Sequence, residues 1–454
     1  MRELDDEQQQ RAWRLGALLT EEVHQQGGGM LGSYLGKRLR KHDATFLTDT
    51  RLTLTKLLDL YAPELTVVGR SGVDLIWGLE LDEDAPDIDA FESLLGDGDV
   101  TGEQIEWLSA EFSNYRSLRS ASLHLAPLTI LIGRNGAGKS NILDGLFRAS
   151  LLTRRKPDAV FAGSHAPERV VGRWDPSLGF SLTARGTHGW SFEYRRRFDT
   201  PQTPAGESLF TTTTGDDSHR TSSLLFTPMG QAFGEAVYLR LEASQLLRPT
   251  SPPREEPFLR HDGLFLPSVL AHIVQTDRTR FDEIIGQLQE LVPSVQDLRT
   301  PWEELEHSGE RVMGNRLEVK MQGVGWIPTD QLSEGTLLVL GLLTILSRQP
   351  APRLLLLDDV DRGLHPSAQR TLIIQLQKFA SSRTKIVCTS HSPYVIDPLP
   401  IDAVRVVIGD PETGATSIHG LEDHPGWSKW SDTMTPADFW QYVGDETWPQ
   451  GPHT

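Results

Sequence analysis

The sequence predicts an α/β fold in which a mixed sheet carries helices on both sides, preceded by a small N-terminal α+β domain. Three short apolar stretches support this prediction, because turn residues bound each of them, as is typical of fully buried strands. Each stretch also ends in glycine, acidic or hydroxyl residues of the kind that bind ligands. The three stretches are Leu128–Ile132, Leu354–Leu357 and Lys385–Thr389.

Composition limits the class of protein. The chain has 454 residues, enough for two or three domains with a large core. No stretch approaches the roughly 18 apolar residues of a membrane span, and the N-terminus is too acidic for a secretory signal. Cys388 is the only cysteine, which excludes intramolecular disulfides and cysteine-based zinc sites. We therefore expect a cytoplasmic protein with no membrane partner.

The net charge of -18 argues against a protein that is basic overall, but the charge is unevenly placed. Residues 80–106 hold eleven Asp and Glu and no Lys or Arg. This composition is typical of a solvated linker, which we assign to residues 80–104. The predicted domains are then residues 1–79, 105–400 and 401–454.

The glycine-rich stretch after the first apolar strand fits the pattern G-x-x-x-x-G-K-S, and the helical pattern 141–151 follows it. Glycines let the backbone curl so that successive N–H groups point into one concavity, and a helix N-terminus adds its positive dipole end. The lysine then reaches the β- and γ-phosphates of a nucleotide, and the serine hydroxyl ligates Mg²⁺. The candidate ATP contacts are Gly133, Arg134, Asn135, Gly136, Ala137, Gly138, Lys139, Ser140 and Asn141.

A second group of candidate residues lies downstream. Asp358 and Asp359 follow the apolar strand 354–357, at the edge of a parallel sheet where nucleotides bind. We expect Asp358 to orient Mg²⁺ and Asp359 to position or deprotonate the attacking water. Ser333 and Gly335 precede an apolar helix and offer a hydroxyl and backbone N–H groups to a phosphate.

Two more candidates stand at strand ends. His391 follows strand 385–389 and is placed to sense the γ-phosphate by hydrogen bonding. Tyr115 or Arg116, before the strand at 123–125, is a candidate to pack on adenine, with ordinary strand packing as the alternative. The stretch 180–197 alternates like strands, whereas 200–221, rich in Thr, Gly and Pro, predicts a loop.

The N-terminal segment has helical patterns over 5–26, 31–42 and 52–61, then a predicted strand, turn and strand at 65–68, 69–72 and 73–77. With Leu35, Leu39, Phe46 and the leucines of 54–60, it resembles the OST-HTH/LOTUS winged-helix family. The resemblance implies a module that recognises RNA or a protein partner. The basic residues of 37–42 then contact phosphates, or else form a solvated helix face.

The motifs of residues 105–400, taken in order, resemble the ABC-type ATPases of the RecF/SMC/OLD group, closest to the bacterial "AAA family" ATPases with GLHP and T-x-H-S-P motifs. The resemblance implies ATP hydrolysis with Mg²⁺ in a head-to-tail dimer. It assigns Lys139, Asp359 and His391 to catalysis, and Ser333 and Gly335 to the partner's nucleotide. The family usually has Glu where this chain has Asp359, which is shorter by one methylene and predicts slower hydrolysis.

The predicted function is an ATPase whose nucleotide-driven dimerisation controls engagement of DNA, RNA or a separately encoded effector protein. DNA repair and anti-phage defence are the contexts that the resemblance suggests. The alternative is a slow or non-hydrolysing, ATP-gated scaffold that regulates a partner toxin or nuclease, and a transporter motor is a third hypothesis. Val404–Ile408 is expected to be the final strand, with the tryptophans after it covering the core or docking a protein.

Overall fold

A computed structural model of the chain describes most of residues 105–444 and three strands before them. The described residues are 30–31, 65–71, 74–79, 105–155, 157–174, 179–198, 208–214, 217–221, 228–234, 236–250, 257–307, 310–348, 351–381, 383–444 and 448.

The strands of the described residues are β1 (Met30–Leu31), β2 (Leu65–Ser71), β3 (Asp74–Leu79), β4 (Trp107–Tyr115), β5 (Leu118–His124), β6 (Leu128–Ile132), β7 (Phe180–Gly186), β8 (Ser191–Arg196), β9 (Ser208–Thr214), β10 (Asp217–Thr221), β11 (Ala236–Leu239), β12 (Val295–Arg299), β13 (Trp302–His307), β14 (Glu310–Asn315), β15 (Glu318–Met321), β16 (Gly325–Pro328), β17 (Leu354–Leu357), β18 (Lys385–Ser390), β19 (Val404–Gly409) and β20 (Thr416–Gly420). The helices are α1 (Lys139–Leu152), α2 (Pro157–Val160), α3 (Pro167–Val170), α4 (Pro228–Phe233), α5 (Ala243–Leu246), α6 (Leu266–Thr276), α7 (Arg278–Leu291), α8 (Glu334–Leu346), α9 (Pro366–Phe379), α10 (Trp427–Trp430) and α11 (Pro436–Val443).

The chain divides into two compact units. One comprises residues 106–147, 171–184 and 235–454, and the other comprises residues 1–105, 148–170 and 185–234. The first unit contains every residue of the predicted ATP site. Among the described residues, no helix is both long and apolar enough to cross a bilayer.

The central sheet of the first unit has the order β11-β17-β18-β6-β19-β20. The first five strands are parallel, and only β20 runs antiparallel to its neighbour β19. Every residue of β6, β17 and β18 is buried, which explains why the middle of each strand is apolar on both faces. The predicted mixed α/β fold is confirmed.

Helices α6 to α9 contribute their apolar residues to the same core as the sheet. In α8, eleven of the thirteen residues are buried, so this helix lies inside the unit rather than on its surface. Fully burying one leucine side chain stabilises the fold by about 1.5–3 kcal/mol. The leucines of α8 and β17 therefore hold the strand that ends at the acid pair.

The tail also joins this core. Strand β19 lies beside β6, and Phe439 and Trp448 are buried in the main hydrophobic cluster. The expectation that residues 404–408 form the last strand was wrong, because β20 follows and pairs with β19. The turn at 410–415 carries Asp410, whose carboxylate accepts hydrogen bonds from the backbone of Glu412 and Thr413.

In the second unit, β8, β9 and β10 form an antiparallel meander. The prediction of a loop over 200–221 was therefore wrong for β9 and β10. The threonines that suggested a loop are β-branched, and such residues favour strands once a pairing partner is available. Phe161 stacks on Tyr194, with ring centroids 5.3 Å apart.

The N-terminal hairpin is present, with β2 and β3 antiparallel and β1 paired to the other edge of β3. Gly69, Arg70 and Ser71 belong to β2 and pair with β3, so the prediction of a turn at 69–72 was wrong for these three residues. The predicted helices 5–26 and 52–61 and the linker 80–104 lie outside the described residues. So does the predicted helix 31–42, except for Leu31, which lies in β1 and not in a helix. The winged-helix assignment and the domain boundaries stay predictions.

Candidate functional site

The glycine-rich loop joins β6 to α1 and needs its glycines. Three of them have positive φ, namely Gly133 at 149°, Gly136 at 80° and Gly138 at 108°. A Cβ on Gly133 would lie 2.2 Å from the Val407 carbonyl oxygen, and one on Gly138 would lie 2.1 Å from Thr416 Oγ1. The loop is therefore packed against β19 and β20 as closely as only glycine permits.

Lys139, the first residue of α1, is buried, and its ammonium lies across the loop. Its Nζ donates to the carbonyl oxygens of Gly133 at 2.7 Å and Arg134 at 2.9 Å. Arg134, Asn135 and Gly136 are exposed at the tip of the loop, whereas Ala137 is buried. The lysine ammonium thus lies against the loop that the motif predicts to bind phosphates.

A chain of polar groups ties this loop to two distant segments. The Asn141 side-chain amide donates to Ser117 Oγ at 2.7 Å, and Ser117 Oγ lies 2.7 Å from Thr416 Oγ1. Thr416 Oγ1 donates in turn to the Ala137 carbonyl at 2.8 Å. The β4–β5 turn and β20 therefore both contact the segment that joins the loop to α1.

Asp358 follows β17 directly and accepts hydrogen bonds from three hydroxyl groups. Ser140 Oγ lies 3.0 Å from Asp358 Oδ2, Thr389 Oγ1 lies 2.7 Å from Oδ1, and Tyr238 OH lies 3.1 Å from Oδ2. The carboxylate is 6% exposed, so these donors satisfy a charge that is nearly removed from water. The structure thus brings Ser140 and Asp358, which are 218 residues apart, together.

Asp359 has a left-handed backbone, with φ of 58°. Its N–H donates to Thr389 Oγ1 at 2.8 Å, so one threonine hydroxyl contacts both acids. Asp359 Oδ1 lies 3.9 Å from His391 Nε2, and Oδ2 lies 4.0 Å from an Arg240 guanidinium nitrogen. Asp is among the residue types that tolerate this backbone region, whereas Glu is not, which gives a structural reason for the shorter acid here.

Tyr238 and Arg240 are site residues that the sequence did not indicate. Strand β11 pairs with β17, so residues at its end lie beside the acid pair. Burial, and then the charge of Asp358, raise the pKa of Tyr238 well above its ordinary value, so the phenol stays protonated and donates. The sequence pattern predicts a strand at Tyr238 and Arg240, but it does not tell which strand lies next to it in the sheet. The proximity of these two residues to the acid pair could therefore not be predicted.

Ser333 caps α8, and its Oγ accepts from the Thr336 N–H at 3.2 Å. A Cβ on Gly335 would lie 2.7 Å from the Gly363 carbonyl oxygen. Glu334 lies 3.4 Å from the Arg362 guanidinium. The start of α8 is therefore packed against the segment that follows the acid pair, with Ser333 itself exposed.

The structure places Arg116 beside α1. Its Nε lies 2.9 Å from Asp144 Oδ2, and Tyr115 OH donates to the same oxygen at 2.6 Å. Tyr115 is fully buried, and its ring lies 5.7 Å from that of Phe180 at a tilt of 56°, so strand packing accounts for it. Arg116 is partly exposed and stays a candidate for the adenine contact.

The side chains fit a magnesium–nucleotide complex. Mg²⁺ in such sites takes few protein ligands and keeps its other positions for water and phosphate oxygens. One hydroxyl, Ser140, and one carboxylate, Asp358, lie together beside the phosphate loop. In the described part of the chain, no group of three or more His, Cys, Asp or Glu residues could hold a metal ion.

Comparison with known proteins agrees with this geometry. The family model described as "AAA domain, putative AbiEii toxin, Type IV TA system" matches residues 128–397, more than half of the chain. The chain belongs to this family of AAA domains. The match includes the phosphate loop, the acid pair and His391, and no curated protein matches the chain.

Solved SMC head structures are similar to the AAA-domain chain. A crystal structure of an SmcHead bound to the C-winged helix domain of ScpA has a TM-score of 0.51 and 14% identity, over 70% of this chain and 99% of that one. Smc head domains from Pyrococcus furiosus and Pyrococcus yayanosii have TM-scores of 0.47 and 0.48, at 11% and 9% identity. Each of these two matches extends over 72% of this chain. They include 100% of the Pyrococcus furiosus chain and 99% of the Pyrococcus yayanosii chain. The first likeness shows the fold of an ABC-type P-loop ATPase head.

Proposed function

We propose that this AAA-domain protein binds ATP with Mg²⁺ and hydrolyses it. The observation that supports the proposal most strongly is the cluster at the carboxyl ends of β17 and β18. There one hydroxyl, Thr389 Oγ1, contacts the acid that faces Ser140 and the acid that faces His391. A metal-side acid and a residue that positions the attacking water are recurring parts of sites for phosphoryl transfer to water.

The residues have separate roles in this proposal. Loop N–H groups and Lys139 bind the phosphates, and Ser140 with Asp358 holds Mg²⁺, which neutralises charge on the phosphate oxygens. Asp359 orients the attacking water and accepts its proton. His391, with its side chain 38% exposed and near Asp359, donates a hydrogen bond toward the γ-phosphate side.

We further propose a head-to-tail dimer in which Ser333 and Gly335 act on the partner's nucleotide. Ser333 is exposed at the N-terminus of a thirteen-residue helix, and such a terminus favours an anion. Mixing Lys139→Ala with Ser333→Ala tests this. Each homodimer has two defective sites, whereas a mixed dimer has one site built only from intact parts, so mixing should restore about a quarter of wild-type activity.

The partner is proposed to be a nucleic acid or a separately encoded effector protein. The SMC head that shares this fold is bound to a winged-helix domain of another protein. That observation supports a protein partner for this chain, in a cytoplasmic role in DNA repair or anti-phage defence. The N-terminal segment, if it is a winged helix, supplies a second recognition surface.

The direct test is ATP hydrolysis by wild type, Lys139→Ala and Asp359→Ala, alone and with single- or double-stranded DNA or RNA. We expect turnover in wild type and a loss of at least about 100-fold in each variant. Faster ATP hydrolysis with one of these nucleic acids would identify it as the class of partner. Equal turnover in all three proteins would contradict the assignment of the site.

A second candidate function is an ATP-gated scaffold with little turnover. The surroundings of Asp359 favour the scaffold. His391 lies near one of its carboxylate oxygens and Arg240 near the other, so both compete with the attacking water for this carboxylate. Tight ATP binding with a near-zero rate would support the scaffold. Arg240→Ala, which removes one competitor, would then raise the rate.

A further inference from the structure

Gln369 of α9 joins two loops of the site through one buried side chain. Its Nε2 donates to the carbonyl oxygens of Leu364 at 2.9 Å and Asp361 at 3.3 Å. Its Oε1 accepts from Ser392 Oγ at 2.5 Å. Gln369 is 7% exposed, and all three bonds involve protein groups, so both amide donors and the acceptor are used.

The first of these loops, residues 359–364, begins at the second acid. The Arg362 N–H donates to the Asp359 carbonyl, and the Leu364 N–H donates to the Asp361 carbonyl, which makes a compact turn. Gly363 in this turn has φ of 67° and packs against Glu334 at the start of α8. The position of this turn therefore fixes both Asp359 and the surface around Gly335.

The second loop, residues 390–395, contains His391. Ser392 follows His391 directly, and its N–H donates to Ser390 Oγ at 2.9 Å. The Ser392 hydroxyl also accepts from the Tyr394 N–H at 3.4 Å, which caps the short turn at 393–395. Because its hydroxyl hydrogen goes to Gln369, the backbone next to His391 depends on a side chain of α9.

We propose that Gln369 is a positioning residue that couples the α8 start to His391 through these two loops. The inference rests on the proposed ATPase function of the site. A rigid link of this kind acts on the transition state more than on ATP binding, since it touches no predicted phosphate contact. Loss of the link should therefore lower kcat and leave KM for ATP nearly unchanged.

The chain offers a matched control in the same helix. Gln375 is also buried, at 6% exposure, and its Nε2 donates to Glu290 of α7 at 2.6 Å. Gln369→Leu and Gln375→Leu thus remove the same chemical group from equally buried positions of one helix. Both variants should lose stability, but only the first breaks the contact to Ser392.

The test is steady-state ATP hydrolysis together with hydrogen exchange of residues 359–364 and 389–395 without nucleotide. Gln369→Leu should lower kcat by about 10- to 30-fold with KM within about threefold, and Gln375→Leu should change kcat by less than about twofold. Amide exchange in 389–395 should be at least about fivefold faster in Gln369→Leu alone. Should that variant not fold, Ser392→Ala breaks the link from the other side and should show the same pattern.

Equal kcat and equal exchange in the two leucine variants would overturn the inference. Absence of hydrolysis in wild type would instead contradict the proposed function. The exchange comparison would still decide whether Gln369 couples the loops, because it needs no turnover.

Discussion

Thr389→Val is the substitution that tests the acid pair most directly. The hydroxyl of Thr389 is fully buried, donates to Asp358 at 2.7 Å and accepts from the Asp359 N–H at 2.8 Å. Valine keeps the shape and removes both bonds. A hydrogen bond to a charged group contributes about 1.5–3 kcal/mol, and an unsatisfied buried N–H costs about 1–3 kcal/mol.

The two effects share one site and overlap, so we expect a loss of about 2–4 kcal/mol in the free energy of unfolding. Asp358 keeps its bonds from Ser140 and Tyr238, which limits the loss. The left-handed backbone of Asp359 loses the N–H contact that helps to hold it, so kcat should fall by about 10- to 100-fold.

Thr344→Val is the matched control. Thr344 is also buried, at 1% exposure, but its hydroxyl donates only to the Leu340 carbonyl within α8, at 2.8 Å. That carbonyl is already used by the helix, so the loss should be below about 1 kcal/mol. Urea unfolding followed by circular dichroism, with phosphate release in parallel, compares the two. If Thr389→Val is as stable and as active as Thr344→Val, the reasoning about the acid pair is refuted.

Three further predictions concern single positions. Asp359→Gly should abolish hydrolysis yet raise the free energy of unfolding by about 1 kcal/mol, because glycine relieves the strained backbone; a destabilised variant in urea unfolding would argue against strain. Gly138→Ala should lower ATP affinity at least about tenfold by equilibrium binding, because its Cβ would collide with Thr416 and its φ is 108°; unchanged affinity would mean that the loop geometry is not needed. Burial lowers the pKa of His419, and the charge of Asp423 partly opposes this shift, so the free energy of unfolding should fall as pH drops below about 6.5. Thermal unfolding at pH 7.5 and 5.5 should show a smaller difference for His419→Asn than for wild type. The same difference in both proteins would contradict this prediction.

The parts of the site that could be predicted are those that depend on short, contiguous stretches of sequence. The phosphate loop follows from one contiguous motif, and Asp358 follows from the apolar strand before it. His391 was located in the same way, by the strand that precedes it. Such runs identify buried strands by their length of four to six residues and by the turn residues that bound them, since a buried helix such as α8 is longer.

The parts that could not be predicted depend on which strands are neighbours. Tyr238 reaches Asp358 only because β11 lies beside β17, and Ser117 reaches Thr416 across 299 residues of sequence. The hairpin of β9 and β10 was missed for a related reason, since pairing decides whether threonine-rich segments become strands. The left-handed backbone of Asp359 likewise could not be predicted, and its N–H contacts Thr389 of a different strand.

The most direct test of the account measures phosphate release and ATP binding side by side for wild type, Asp359→Asn and Asp402→Asn. Asn tolerates the left-handed backbone, so Asp359→Asn should keep the fold while it replaces the carboxylate by a neutral amide of the same size. Asp402 is an exposed carboxylate outside the site. The account predicts unchanged ATP affinity in all three and a loss of turnover of at least about 100-fold in Asp359→Asn alone. Full turnover in Asp359→Asn would contradict it.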